Sequence, residues 1–240
     1  MKIGISGGSG RVGTLLKQKL LRKHEVVTFG RANSDIGWTL GVRPSPFELS
    51  RVDVLIHLSW SLLDRENDFH LNVGGTAALA AAASESRIPF LFISSVAASS
   101  NSSYGLAKLK AEEAVARENG FNLRIGLIPE ANRYANNSKK TIALYPQLPC
   151  LINVTKLKDL EDFIDKWLDT KFREGILPQL VTLVSSRDTP KAVLSNARLA
   201  IPVPYVLIKG ALSLGGYFSL QARNFQDSLN SVVTTKWEQK

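Results

Sequence analysis

Residues 3–13, Ile-Gly-Ile-Ser-Gly-Gly-Ser-Gly-Arg-Val-Gly, decide the fold of this 240-residue chain. A short apolar run leads directly into a glycine-rich turn and then into an amphipathic segment, which is the order strand, turn, helix. Gly7 permits a tight turn, Gly10 lets the backbone approach a pyrophosphate, and Gly13 lets the helix pack closely on the strand. The helix N-terminus adds amide groups and positive dipole. The segment predicts a phosphate cradle for a dinucleotide, with an ordinary strand-to-helix turn as the alternative.

Strands and helices alternate through the following residues. Apolar runs predict strands, whereas helical spacing of apolar residues or a high alanine content predicts helices. The predicted elements are, in order, helix Arg11–Lys23, strand Val26–Phe29, strand Val52–Leu58, helix Asp64–Ser86, strand Phe90–Ile93 and a helix from Tyr104 to Gly120. Nearly continuous apolar strands are typical of a parallel sheet covered on both faces. The pattern predicts an α/β protein with a Rossmann-type, doubly wound parallel sheet.

Composition excludes several other classes of protein. The single cysteine, Cys150, cannot form an internal disulfide and provides no CxxC pair, which suits a reducing compartment. His24, His57 and His70 are isolated, so no metal site is expected, and His57 in its apolar strand is interpreted as a core histidine. The net charge of +9 favours anionic ligands. Because the basic residues are scattered, nucleotide phosphates are preferred over nucleic acid.

The late part of the sequence contains one strongly apolar stretch, residues 198–220. Pro202, Pro204 and Lys209 interrupt it, so no integral membrane span is expected. A buried helix pair fits better, with a membrane-surface contact as the alternative. The N-terminus shows no secretory signal, and a cytoplasmic location is expected. Earlier, Leu157–Leu168 is interpreted as a core helix with an acidic outer face and Ala131–Lys140 as an exposed loop.

Arg31 bears on the choice of cofactor. It follows the second predicted strand, where many dinucleotide folds place an acid that holds the adenosine ribose hydroxyls. An arginine can instead pair with a ribose 2′-phosphate. The residue favours NADP, with NAD as the alternative cofactor and a solvated arginine as the alternative interpretation.

Polar residues follow the strand that ends near Ile93. Ser94 and Ser95 lie where open α/β sheets bind ligands, or they simply cap a turn. Tyr104 and Lys108 are four positions apart and share a helix face. An ammonium near a phenol lowers the phenol pKa toward that of a general acid and base. The pair predicts proton-transfer chemistry, although this spacing also occurs by chance.

Together these segments resemble the extended short-chain dehydrogenase/reductase family, in its nucleotide-sugar epimerase, reductase and dehydratase group. The similar stretches are residues 6–13, 52–60, 72–76, 92–98, 104–113 and 123–126. Residues 201–216, 223–229 and 232–237 resemble, more loosely, the tail of bacterial sugar-nucleotide enzymes of surface-polysaccharide pathways.

The resemblance implies a Ser–Tyr–Lys site in which hydride passes between a sugar carbon and the nicotinamide. Tyr104 would exchange a proton with the sugar oxygen, Ser95 would hydrogen-bond that oxygen, and Lys108 would bind the nicotinamide ribose and lower the Tyr104 pKa. The implied cofactor-binding residues are Gly7, Gly10, Arg11, Val12, Gly13, Arg31, Leu58, Ser59, Asn72, Ser94 and Lys108.

Three departures from the family pattern concern the substrate. Only nine positions lead from Ser95 to Tyr104, residues 127–130 (Leu-Ile-Pro-Glu) replace the usual tyrosine-glycine-proline, and the C-terminal part is short. We expect a dinucleotide-binding domain over 1–130, then the remaining strands with a small, shortened substrate lobe over 131–240. Ala97 stands where dehydratases of the group have an acid, so dehydration is not expected.

The predicted function is reduction or oxidation of a nucleotide-linked sugar, with epimerisation close behind. The alternative is a dinucleotide-binding sensor or scaffold that has lost catalysis. The sequence leaves the oligomeric state open, with a homodimer as the one assembly considered.

Overall fold

The structure is a computed structural model that describes residues 1–61, 65–131, 142–147, 151–173, 179–189 and 199–204. Its strands are β1 (Lys2–Ser6), β2 (Glu25–Gly30), β3 (Ile36–Gly37), β4 (Val54–His57), β5 (Phe90–Ser95), β6 (Phe121–Ile125), β7 (Ile142–Gln147), β8 (Ile152–Val154), β9 (Leu180–Leu183), β10 (Ser186–Asp188) and β11 (Leu199–Pro204). Its α-helices are α1 (Arg11–Leu20), α2 (Pro46–Leu49), α3 (Arg65–Glu85), α4 (Ser103–Arg117) and α5 (Leu157–Arg173).

Seven strands form one parallel sheet in the order β3-β2-β1-β4-β5-β6-β9. The order of the first six is that of the doubly wound dinucleotide folds, and the chain reverses direction across the sheet between β1 and β4. All carboxyl ends share one edge, so the segments that follow β1, β2, β4 and β5 lie along that edge. Two smaller pairs, β8 with β10 and β7 with β11, lie outside this sheet. The predicted α/β Rossmann-type fold is confirmed.

Two apolar layers cover the sheet. On one face, Leu16 and Leu20 of α1 and Leu160 and Ile164 of α5 pack on inward-facing strand residues. On the other face, alanines and Leu79 of α3 pack with α4. Small side chains let α3 and α4 approach closely, which explains why an alanine-rich helix with little amphipathic character is stable there.

The helices and strands of the first part match their predicted positions to within a few residues. The largest differences are at the ends of α1 and α4, which stop at Leu20 and Arg117, each about three residues before the predicted end. At α1, Leu21 and Arg22 continue as a turn bonded to the Lys17 and Lys19 carbonyls. The predicted core helix over Leu157–Leu168 is confirmed, and it extends to Arg173.

The prediction of a buried helix pair over 198–220 is wrong for residues 199–204. These residues form β11, which pairs in parallel with β7. Pro202 and Pro204 lack the amide that a helix interior needs, whereas the edge of a two-stranded pair tolerates them. Residues 205–240, with the two tail segments beyond 220, and residues 132–140 of the predicted loop lie outside the described residues.

Within the described residues, no helix has the length and apolar character that crossing a membrane requires. The same residues contain no cluster of three or more histidine, cysteine, aspartate or glutamate side chains placed to hold a metal ion.

Candidate active site

The glycine turn after β1 packs against the end of β4. Gly7 has a φ of +76°, a left-handed conformation that glycine adopts without strain. A Cβ at Gly7 would lie 2.7 Å from the Ser59 nitrogen and 2.9 Å from the Leu58 carbonyl carbon. The turn and the backbone of Leu58 and Ser59 therefore touch, as expected for residues predicted to bind one ligand.

The N-terminus of α1 has the features of a phosphate cradle. Gly10 is its N-cap and makes no side-chain capping bond, and no acid stands in the first turn, where Arg11 and Val12 follow. A Cβ at Gly13 would lie 2.2 Å from the Gly7 carbonyl oxygen, so only glycine permits this close packing of helix on turn. Uncapped amides at a helix start attract an anion, and the residues present fit a dinucleotide pyrophosphate.

The segment after β2 is held by an acid that the sequence analysis did not single out. The Asp35 carboxylate accepts hydrogen bonds from the backbone amide of Thr28 at 2.8 Å and from its hydroxyl at 2.7 Å. These two hydrogen bonds hold the pKa of the Asp35 carboxyl below its usual value, and the bond from the Thr28 backbone amide has the larger effect. Asp35 is thus engaged with β2, while Arg31 at the end of the strand is exposed.

Removing the Asp35 carboxylate is expected to destabilise this part of the fold. Asp35→Ala leaves the buried Thr28 amide without its acceptor, at a cost of about 1–3 kcal/mol at neutral pH. Since the folded-state pKa is depressed, the stabilisation is present above the ordinary carboxyl value of 3.8 and is lost as the pH falls below it. Urea unfolding of both proteins at neutral and acid pH measures this. A difference in unfolding free energy that does not narrow in acid would contradict the role of the charge.

Asn72 of α3 fixes the segment that follows Ser59. Its side-chain oxygen accepts from the Ser61 amide at 2.7 Å, and its side-chain nitrogen donates to the Ser61 carbonyl at 2.9 Å. Asn72 is buried, so this pair of hydrogen bonds is shielded from water. Asn72 therefore clamps the backbone beside Trp60, and its role toward the cofactor stays a prediction.

Ser95 and Tyr104 meet at the carboxyl end of β5. The Ser95 side chain caps the following 3-10 turn by accepting from the Ala97 amide at 3.2 Å. It also lies near enough to the Tyr104 hydroxyl to lower the pKa of that phenol as a hydrogen-bonding neighbour. Gly105 makes the approach possible, because a Cβ there would lie 2.2 Å from the Ala97 carbonyl oxygen. The nine-position spacing from Ser95 to Tyr104 thus closes into one compact turn.

Lys108 lies one helical turn further along α4 and is buried. Its ammonium donates to the Ile93 carbonyl at 3.2 Å and lies 3.7 Å from the centre of the Trp60 ring. Burial lowers the Lys108 pKa to about 7, and the nearby Glu112 carboxylate opposes that shift. At neutral pH the group therefore exchanges readily between its charged and neutral forms.

The expectation that Lys108 lowers the Tyr104 pKa is wrong for this arrangement. Burial raises the pKa of the Tyr104 phenol, and only the bond to Ser95 opposes the rise. The Lys108 ammonium lies 6.0 Å from the Tyr104 ring centre and is directed to the Ile93 carbonyl. Proximity on one helix face did bring the two residues together, but it did not form a direct ion–phenol contact.

Ser94 faces a buried ion pair rather than the Tyr104 hydroxyl. Its hydroxyl donates to Glu112, and the Arg124 guanidinium binds the same carboxylate at 2.6–3.1 Å. Both charged side chains are largely buried. The pair ties α4 to β6 behind the site. Spacing gives a sequence signal for it, because Tyr104, Lys108 and Glu112 recur every fourth position along one helix face.

His57 is a core residue, as predicted. Its ring nitrogens lie 2.5 Å from the Ser6 hydroxyl and 3.0 Å from the Thr76 hydroxyl. Burial lowers its pKa to about 3, and the charge of Lys108 acts in the same direction. The imidazole is therefore neutral at physiological pH and links β1, β4 and α3.

Comparison with known proteins supports the fold. No protein-family model matches the chain, and no curated protein sequence does. Among solved structures, WbmG of Bordetella bronchiseptica in complex with NAD is 17% identical with a TM-score of 0.62, covering 81% of this chain and 76% of that one. The dTDP-4-dehydrorhamnose reductase of Bacillus anthracis in complex with NADP is 16% identical with a TM-score of 0.66, covering 86% and 85%.

A third similar structure is the UDP-glucose 4-epimerase of Thermotoga maritima with UDP-glucose, at 14% identity and a TM-score of 0.61, covering 84% of this chain and 86% of that one. The chain thus shares the fold of these three structures, a doubly wound parallel sheet covered by helices. The resemblance drawn from the sequence is confirmed at the level of the fold.

Proposed function

We propose that this protein is an NAD(P)-dependent reductase or epimerase of a nucleotide-linked sugar. The observation that carries the proposal is the contact of Ser95 with Tyr104, one helical turn from buried Lys108, on the sheet edge that also holds the glycine turn. A glycine turn, a serine near a tyrosine and a buried lysine are each common in proteins. Their order along one edge of a doubly wound sheet is the arrangement expected for proton transfer beside a bound dinucleotide.

The dinucleotide would be held by residues around the first glycine turn. The amides of Arg11, Val12 and Gly13 would bind the pyrophosphate, and the backbone of Leu58 and Ser59 would line the opposite side. When bound, the cofactor supplies hydride transfer, which no protein side chain provides.

The chain's own residues would orient the sugar and move its proton. The Tyr104 hydroxyl donates to the sugar oxygen in reduction or accepts from it in oxidation, and Ser95 hydrogen-bonds the same oxygen. Lys108 binds the nicotinamide ribose. Because burial raises the Tyr104 pKa, the phenol remains protonated through neutral pH, which suits the reduction direction.

A screen of nucleotide sugars tests the function. The protein is incubated with reduced or oxidised cofactor and each sugar in turn, and the sugar product is analysed by mass spectrometry and NMR. We expect oxidation, reduction or inversion at one sugar carbon. Saturable cofactor binding without change in any sugar would contradict the enzyme proposal.

Cofactor preference is predicted from Arg31. The nearby acid, Asp35, is occupied by Thr28, so the exposed guanidinium is the group presented to a ribose 2′-phosphate. A charge-assisted bond of about 1.5–3 kcal/mol corresponds to roughly ten-fold or more in affinity, so NADPH should bind more tightly than NADH. Arg31→Asp should reverse the order. Calorimetric titration of both cofactors measures it, and equal affinities in the wild type would refute the NADP assignment.

The remaining parts of the proposal concern organisation. Residues 1–130 form the dinucleotide-binding domain, and residues 131–240 supply the last sheet strand and a small lobe for the sugar. The enzyme acts in the cytoplasm, in surface-polysaccharide biosynthesis, as the resemblance of residues 201–216 suggests.

A second candidate function is a non-catalytic dinucleotide sensor. The observation that favours it is the inward direction of Lys108, whose ammonium already has the Ile93 carbonyl and the Trp60 face as partners. The short connection from Ser95 to Tyr104 also leaves little room for a sugar-contacting loop. In the screen above, tight cofactor binding with no turnover is the result that this candidate predicts.

A further inference from the structure

Trp60 lies inside the candidate active site, although the sequence analysis gave it no role. Its ring centre is 3.7 Å from the Lys108 ammonium and 6.1 Å from the Tyr104 ring centre, which it meets edge-on. The Lys108 ammonium is also 4.6 Å from the Phe92 ring centre. The lysine ammonium thus lies over the faces of both rings.

The indole is held from two sides. It stacks on Phe92, with ring centres 6.1 Å apart, and the next residue, Ser61, is bound at both backbone groups by Asn72. The position of Trp60 therefore depends on α3 and β5. A rearrangement of the loop would have to break both the stacking on Phe92 and the Asn72 hydrogen bonds.

We infer that Trp60 is a positioning residue for Lys108. The electron-rich face of the indole attracts the ammonium and, with the Ile93 carbonyl, fixes the direction in which Lys108 can meet a ligand hydroxyl. The inference rests on the proposed function for the identity of that hydroxyl, the nicotinamide ribose. The arrangement of Trp60, Phe92 and the Ile93 carbonyl around the ammonium, here called the cage, requires no ligand.

The inference gives Trp60 an electrostatic role that simple packing would not. A leucine at this position would fill part of the space but present no ring face to the ammonium. A phenylalanine would keep a ring face of weaker attraction. Stabilisation of the Lys108 ammonium should therefore decrease in the order tryptophan, phenylalanine, leucine at position 60.

The direct test is the rate at which Lys108 is acylated by an amine reagent, followed by peptide mass spectrometry without any cofactor. Lys110 on the same helix is exposed and serves as the internal standard. Measured at a pH about two units below the Lys108 pKa of about 7, where nearly all of the amine is protonated, Trp60→Leu should raise the relative rate at Lys108 by about 3- to 30-fold, the range of a lost cation–π contact, and Trp60→Phe by no more than about 3-fold. The buried Trp167 on the opposite face of the sheet supplies a control, and Trp167→Phe should leave the rate unchanged.

Fluorinated tryptophan, incorporated during expression, gives a second test that does not depend on a variant folding. Fluorine keeps the ring's shape and weakens its attraction for a cation, so the Lys108 rate should rise with each added fluorine. Equal rates across the series, or equal rates in Trp60→Leu and wild type, would overturn the inference.

The link to the proposed site is tested separately by titration. Trp60→Leu should raise the NADPH dissociation constant by several-fold, whereas Trp60→Phe should restore most of the affinity. A faster Lys108 reaction with unchanged NADPH affinity would retain the cage and overturn its proposed role toward the ribose. Failure of the nucleotide-sugar screen would leave the acylation result unaffected.

Discussion

Tyr104→Phe is expected to lower turnover of the nucleotide sugar by at least ~100-fold while dinucleotide affinity stays nearly unchanged. The substitution removes only the hydroxyl beside Ser95, so the ring can keep its edge-on contact with Trp60. Proton transfer to the sugar oxygen then has no donor in place. Steady-state kinetics and cofactor titration on the same preparation measure the two quantities.

The pH dependence gives this prediction a direction. Because burial raises the Tyr104 pKa, reduction, which uses the protonated phenol, should persist through neutral pH. Oxidation requires the phenolate and should rise as the solution becomes alkaline. Ser95→Ala should also lower turnover in both directions, because it removes the hydroxyl proposed to hydrogen-bond the sugar oxygen. The loss should be larger for oxidation, because the partner that lowers the Tyr104 pKa is also lost. Unchanged turnover in Tyr104→Phe would remove Tyr104 from the mechanism.

Gly13→Ala is expected to weaken dinucleotide binding by about 10- to 100-fold and to destabilise the fold by about 1–3 kcal/mol, the usual cost of overpacking. The added Cβ would lie 2.2 Å from the Gly7 carbonyl oxygen and 2.9 Å from the Gly8 Cα, all backbone atoms. Since these atoms cannot rotate away, α1 must move from the turn and carry its amides with it. Calorimetry and urea unfolding measure the two effects.

Gly74→Ala is the matched control. Gly74 lies in α3, and a Cβ there would meet no atom within 4 Å. The same substitution should therefore stabilise the protein by about 0.5–1 kcal/mol through helix propensity and leave cofactor affinity unchanged. Equal cofactor affinity in Gly13→Ala and Gly74→Ala would contradict the assignment of the glycine turn.

The sheet could be predicted from sequence because its strands carry a strong local signal. Ile3, Ile5 and the run Val54–His57 are buried, and each is bounded by residues that favour turns or helices. The order of the glycine turn, the serine pair and the tyrosine–lysine pair then gave the edge on which the candidate site lies. These features depend on neighbouring residues, which a sequence records directly.

The features that sequence reasoning missed depend on contacts between distant segments. Trp60 and Lys108 are far apart in sequence, and only the packing of β4 beside β5 brings the indole over the ammonium. The Tyr104 pKa was predicted in the wrong direction for the same reason: burial in the assembled fold outweighs the influence of a lysine that bonds elsewhere. Pro202 and Pro204 are an exception, because they carry a local signal against a helix and β11 forms there instead.

The central claim is tested most directly by following a labelled hydride. NADPH carrying deuterium at the transferable position is incubated with the protein and nucleotide sugars, keto sugars included, and the recovered sugar is analysed by mass spectrometry and NMR. For a reductase, we predict one deuterium on a sugar carbon. For an epimerase, we predict an unlabelled stereoisomer of the sugar in a parallel incubation with the oxidised cofactor. The same experiment with Tyr104→Phe should give neither. Tight, saturable binding of the cofactor with every sugar recovered unchanged would contradict the account.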